Sequence, residues 1–198
     1  MARSIDAVIL AAGLSKRMGC DKLLLPVAGS TLFGIFLSRF PFSLFAKTVV
    51  IVANDEVAGI CRNFPVGICH NDTPEKGQAH SIHLGLANTT PGNPILFSVA
   101  DQPLIRHETI SRLVEISLEN PGSIIQPRVD SLPGNPVIFP ADLRDELAGL
   151  AGDSGGREII RHHNRRVTWL DLDSADQFFD IDTPEEYQEF LRQWPNHH

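Results

Sequence analysis

The chain has 198 residues, 42% of them hydrophobic and 21% charged, and a formal net charge of -7. Such a balance excludes a disordered or fibrous chain, and the acidic charge argues against a general nucleic-acid surface. No stretch approaches the roughly 20 apolar residues of a membrane span, and the segment from Met1 to Asp6 has no apolar signal core, so a cytoplasmic protein forming one domain over residues 1–198 is expected.

Apolar runs alternate with helical patterns along most of the chain, which is the signature of an α/β protein with a mainly parallel sheet. Strands are expected at 7–10, 48–53, 66–69, 94–100, 123–126, 136–139 and 167–170. Helices are expected between them at 31–40, 56–62, 78–86, 108–118, 141–147, 157–163 and 185–192. Ser30 or Thr31 suits the cap of the first helix, and Thr183 followed by Pro184 has the favoured order for the start of the last. Two Gly-Asn-Pro triplets, at 92–94 and 134–136, read as turns before strands. Cys20, Cys61 and Cys69 form no CxxC pair and are odd in number, so free thiols are expected. His80 and His83 lack a third ligand for a zinc site, and His197 and His198 are set aside as a terminal feature.

The first strand runs directly into Ala11, Ala12 and Gly13, small residues that leave backbone N–H groups open to a ligand. Lys16, Arg17 and Lys22 follow closely, so the loop concentrates positive charge where phosphates would arrive. It is not a P-loop, because no Gly-Lys pair follows Gly13, and it lacks the Gly-x-Gly-x-x-Gly of a dinucleotide turn. Nor is it a nucleophile elbow, since Arg17 stands where the second glycine would be needed. The apolar strand at 94–100 ends in Asp101, and ligands of open α/β sheets gather beyond such carboxyl ends. The cationic loop and Asp101 should therefore face one another across a crevice.

From Leu10 to Lys22 the chain resembles the signature of the MobA-like nucleotidyltransferases, Leu-x-x-Gly-x-Ser-x-Arg-Met-Gly with a lysine shortly after. Further pieces come in that family's order: Asn71, Gly77, Ser81 and Gly85; Asp101-Gln-Pro; Gly134-Asn-Pro-Val; Gly152-Asp-Ser-Gly-Gly-Arg157; and Asp180-Ile-Asp-Thr-Pro-Glu185. The set is most similar to the molybdenum cofactor cytidylyltransferases, and the Ala11-Ala12 pair favours that branch over the guanylyltransferases, which usually have Ala-Gly there. One departure is Asn135, where the cytidylyltransferases usually carry histidine.

The resemblance implies a single-domain, Rossmann-like three-layer fold of the nucleotide-diphospho-sugar transferase type, and transfer of CMP from CTP to molybdopterin with release of pyrophosphate. It implies that Leu10, Ala11, Ala12 and Gly13, on into Leu14, hold the nucleotide, with Asn71 and Ser81 at its sugar or base. Arg17 and Lys22 would offset charge on the triphosphate, and Asp101 with Asp182 would bind Mg2+, Asp180 being the weaker candidate. Asn135, Asp153 and Arg157 would receive the second substrate, and a molybdenum hydroxylase would be the eventual partner. The alternatives are another phosphorylated acceptor, a GTP-using variant, or a non-catalytic carrier of the finished cofactor.

Overall fold

In the computed structural model of the protein, which describes residues 4–194, all seven expected apolar runs become strands of one sheet. They are β1 Asp6–Ala11, β2 Lys47–Val52, β3 Gly67–His70, β4 Ile95–Val99, β5 Ile124–Val129, β6 Val137–Phe139 and β7 Val167–Asp171. The helices are α1 Leu32–Arg39, α2 Asp55–Cys61, α3 Gln78–Ala87, α4 His107–Glu119, α5 Arg144–Ala148, α6 Gly156–His162 and α7 Pro184–Gln193. The stretch expected as one helix at 141–147 is divided into a 3-10 turn, Ala141–Leu143, and the short α5. The readings at Met1 and at His197 and His198 fall outside the described residues.

Across the sheet the order is β7-β5-β6-β4-β1-β2-β3, and a short strand, Leu132–Pro133, extends β5 as a hairpin. β1 pairs in parallel with both β2 and β4. β6 runs antiparallel to β4 and to β5, a reversal that apolar content alone does not disclose, because a strand covered on both faces reads the same in either direction.

Side chains alternate between the two faces of β1 and so divide the core. Ala7, Ile9 and Ala11 pack with Phe33, Phe36 and Leu37 of α1, with Val57 and Cys61 of α2, and with Ile110 and Leu113 of α4. Val8 points the other way, to Ala79, Ile82 and Leu86 of α3, in a layer that also takes in Leu147 of α5 and Ile159 of α6. Helix, sheet and helix thus form three layers, as expected. Gly85 is required by this contact: a Cβ placed on it would lie 2.6 Å from Cγ1 of Val8.

From β1 the chain steps outward on one side through β2 to β3, then returns to lay β4 on the other side of β1. The carboxyl ends of β1 and β4 therefore flank the point where strand order reverses, the place where open α/β sheets bind ligands. A third apolar cluster closes this end of the molecule, with Met18 of the first loop and Leu32 of α1 packed against Ile181, Phe190 and Trp194. The last helix thereby braces the loop that follows the first strand.

Candidate active site

The loop after β1 is held by its own polar groups. Ser15 takes a left-handed conformation, with φ 46°, and its Oγ accepts a hydrogen bond from the Lys22 amide at 3.3 Å. Asp21 caps the 3-10 turn Lys22–Leu24 by accepting from the Leu23 amide at 3.1 Å, and its other oxygen accepts from Asn54 Nδ2 at 2.8 Å. Because Asn54 is the cap of α2, this contact fixes the loop to the carboxyl end of β2. Lys22 is consequently directed inward, with its side chain only 9% exposed.

The carboxylates arrive from two other segments. Asp101 follows β4 after a single residue, Ala100, and does not cap α4, whose N-cap is Arg106. Asp182 precedes α7, where Thr183 and Glu186 form a reciprocal capping box and Glu186 also accepts the Asp182 amide at 2.8 Å. The Ile181 amide donates to the Asp101 carbonyl at 3.3 Å, which sets the two segments side by side. Gln102, buried beneath them, donates to Asp180 Oδ1 at 2.8 Å.

The result is a compact charge cluster. Lys22 Nζ lies 2.6 Å from Asp101 Oδ2 and 2.5 Å from Asp182 Oδ1, while the exposed Arg17 guanidinium pairs with Asp182 Oδ2. Burial works against the charged amine, but the two carboxylates outweigh it and hold Lys22 above its ordinary value. Burial likewise opposes ionisation of Asp182, yet Lys22 and Arg17 prevail and depress its carboxyl. Asp180 is pushed the other way, by desolvation at the crevice and by the neighbouring charge of Asp101. Asp101 Oδ1 is buried and has no hydrogen-bond partner. A buried carboxylate oxygen left without a donor calls for a cation, and two carboxylates set side by side suit a hard divalent ion with oxygen ligands.

Two clefts meet beside this cluster. The smaller, about 300 Å³, is lined by Leu10 through Ser15, by Lys22 and Asp101, and by Gln78 and Ser81 at the start of α3. The larger, about 710 Å³, has Phe97 and Phe139 on its walls, with Gln126, Asn135, Arg157 and Trp169 around it. Leu10, Gln78, Val99 and Asp153 line both, so the clefts are continuous. Their junction is built on close backbone approaches: a Cβ on Gly77 would meet the Gly152 carbonyl at 2.4 Å, and one on Gly155 would meet Gln78 Oε1 at 2.4 Å. The Ala79 amide donates to Gly152 at 3.1 Å and completes the seam.

The structure gathers most of the residues expected to form the site. Leu10, Ala11, Ala12, Gly13, Lys22, Ser81 and Asp101 line the smaller cleft, and Asn135, Asp153 and Arg157 line the larger. Arg17 reaches the cluster through Asp182, but Lys16 is exposed and outside both clefts. Asn71 also lines neither: it is 1% exposed, donates to Ser81 Oγ at 3.0 Å and accepts from the Thr73 amide at 3.0 Å. Its place is behind Ser81, as a support.

Gln78, Gln102, Gln126 and Trp169 were not foreseen. Gln78 and Gln102 directly follow expected residues, Gly77 and Asp101, and adjacency could have flagged them; Gln126 and Trp169 sit in strands that read only as core. Among the described residues no group of three or more His, Cys, Asp or Glu side chains is set to hold a metal. No described helix is long and apolar enough to cross a membrane.

Comparison with known proteins places the chain in a family. The family model described as the MobA-like NTP transferase domain matches residues 7–167. The chain is 29% identical to the purine catabolism protein PucB of Bacillus subtilis, over 91% of this chain and 92% of that protein. It is 29% identical to a molybdenum cofactor guanylyltransferase of Mesorhizobium japonicum, covering 97% of each chain, and 22% identical to the molybdenum cofactor cytidylyltransferase of Escherichia coli, over 93% and 94%. Among solved structures, Rv0371c of Mycobacterium tuberculosis in complex with manganese superposes with a TM-score of 0.75 at 25% identity, covering 96% of this chain and 98% of that one.

Proposed function

The chain belongs to the MobA-like NTP transferase domain family of nucleotidyltransferases, and from that premise we propose that it transfers CMP from CTP to the terminal phosphate of molybdopterin, releasing pyrophosphate. The observation that carries this reading is the continuity of two clefts at the Lys22, Asp101 and Asp182 cluster, one bordered by uncovered backbone and the other large enough for a second substrate.

The smaller cleft takes the triphosphate. Backbone from Ala11 to Leu14 borders it, and a Cβ on Gly13 would meet nothing within 4 Å, so ligand atoms can come close to the main chain there. Ala12 adds a methyl group that glycine would lack, leaving less room for a base and favouring cytosine over guanine. The larger cleft takes the acceptor: aromatic walls suit a flat ring, and Arg157 suits an anionic substituent. The acceptor phosphate, already ionised near neutral pH, attacks the α-phosphorus; one P–O bond forms as the bond to the β-phosphate oxygen breaks.

No side-chain nucleophile is needed, and catalysis rests on alignment and charge. Lys22 and Arg17 stabilise the departing pyrophosphate. Asp101 and Asp182 would hold Mg2+, which when bound neutralises phosphate charge and favours departure of the leaving group. The manganese complex of Rv0371c supports a divalent cation in this fold. The similarity to a purine catabolism protein favours a molybdenum hydroxylase of purines as the eventual recipient of the product.

Asn135 favours a second reading, in which the acceptor is another phosphorylated small molecule. The decisive experiment is pyrophosphate release from CTP with and without molybdopterin and Mg2+, together with a thermal-shift series of CTP, GTP, ATP and UTP. Turnover dependent on molybdopterin and a largest shift with CTP are expected. A larger shift with GTP would overturn the base assignment, and equal turnover of a sugar phosphate would overturn the acceptor. Binding of finished cofactor with no nucleotide-dependent shift would mark a carrier.

A further inference from the structure

Three of the four oxygens on Asp101 and Asp182 are occupied by side-chain cations: Lys22 Nζ holds one from each carboxylate, and Arg17 holds the remaining oxygen of Asp182. Only Asp101 Oδ1 is left without a partner, and it is buried. The four groups sum to no net charge, so the cluster as it stands exerts little attraction on a divalent ion. The Lys22 side chain is only 9% exposed, so its ammonium cannot simply withdraw into water; it must exchange one set of anionic oxygens for another.

Resting on the reading of Asp101 and Asp182 as the cation site, we propose that Lys22 is the resident counter-ion of that site in the ligand-free protein, and that a triphosphate admits the metal by drawing the Lys22 ammonium onto its own oxygens. Lys22 lines the cleft assigned to the triphosphate as well as touching both carboxylates, so one ammonium lies within reach of both anions, and each phosphate contact it gains weakens its hold on the carboxylates. Nucleotide and metal then bind with positive coupling: each is admitted by the other, because the lysine blocks the carboxylates until phosphate oxygens replace them. The device also keeps the carboxylates compensated whenever the site lacks substrate.

The test is Mn2+ binding to the whole protein, followed through the electron paramagnetic resonance signal of free Mn2+, with and without CTP. Wild-type protein is expected to bind Mn2+ weakly alone and at least about tenfold more tightly with CTP, after correction for Mn2+ bound by free CTP. Lys22→Met, with Lys22→Gln as a second variant should the first fail to fold, is expected to bind Mn2+ alone about tenfold more tightly than wild type. Adding Asp101→Asn should abolish that gain. If wild type binds Mn2+ with CTP through Asp101 but neither Lys22 variant gains affinity, the counter-ion role is overturned while the cation site stands. If wild type shows no protein-dependent Mn2+ site even with CTP, both fall.

Discussion

Lys22 and Asp182 are 160 residues apart in the chain, yet Nζ of one lies 2.5 Å from Oδ1 of the other. The pair links the loop that leaves the first strand to the segment that enters the last helix, and so joins the two ends of the fold at the site. It also sets a pH dependence. The depressed carboxyl of Asp182 contributes stability that is present above the ordinary carboxylate range and is lost as pH falls through its folded value. The raised Lys22 contributes below the ordinary lysine range, about pH 10, and that contribution is lost as pH rises through its folded value. Asp182→Asn should therefore cost about 1–2 kcal/mol at pH 7, and the gap should close as the pH is lowered below about 4. Thermal unfolding at pH 7 and pH 3 measures this; a gap that widens in acid would refute it.

Asp101→Asn keeps the shape of the side chain but removes its charge. Turnover should fall by at least about a hundredfold, because electrostatic stabilisation of the transferring phosphate is lost. The Mg2+-dependent part of the CTP thermal shift should vanish with it. Retention of full activity would exclude Asp101 from the cation site.

Gly85→Ala places a methyl group against Val8, whose Cγ1 would be 2.6 Å away. Overpacking of this kind costs about 1–3 kcal/mol. Val8→Ala in the same chain should recover part of that loss, although Val8→Ala alone destabilises. Urea unfolding of the two single variants and the double variant gives the coupling, and strictly additive losses would show that the helix shifts without involving Val8.

Asn71→Ala removes the donor to Ser81 Oγ, in a buried bond, and the acceptor for the half-buried Thr73 amide. A stability loss of about 1–3 kcal/mol is expected, from polar groups left unpaired. Because Asn71 lies behind the cleft wall, the KM for CTP should rise only modestly, and Ser81→Ala should affect CTP binding more than it affects stability. The reverse ranking in unfolding and kinetic measurements would return Asn71 to the nucleotide.

Arg157→Gln should raise the KM for the acceptor and leave the CTP thermal shift unchanged, since Arg157 lines only the larger cleft. An unchanged acceptor KM in steady-state kinetics would remove Arg157 from the second-substrate site.

The central strands were legible because both faces are covered and their composition shows it, while the edge strands β3 and β7, only partly buried, showed as short apolar runs. The loop from Leu10 to Lys22 and the carboxylate after β4 were legible as well, since small residues, cations and a strand-terminal acid carry their chemistry in their identities. Asn71 shows the limit of that reading: its position in the motif suggested ligand contact, while its burial makes it a brace for Ser81. Gln126 and Trp169 were invisible for the opposite reason, because which strand residues border a cleft depends on what packs against them.

Local sequence thus determined the strand and helix periods, the capped start of α7 and the open, cationic character of the first loop, all of which follow from near neighbours in the chain. Only the tertiary structure decided that β6 runs antiparallel and that the two clefts are continuous. It also decided that Lys22 lies between Asp101 and Asp182, for a lysine in an isolated loop is free to take any anion within reach. Three-layer packing, the Asp21 to Asn54 brace and the seating of α7 on Met18 hold its ammonium where the two carboxylates and the smaller cleft meet.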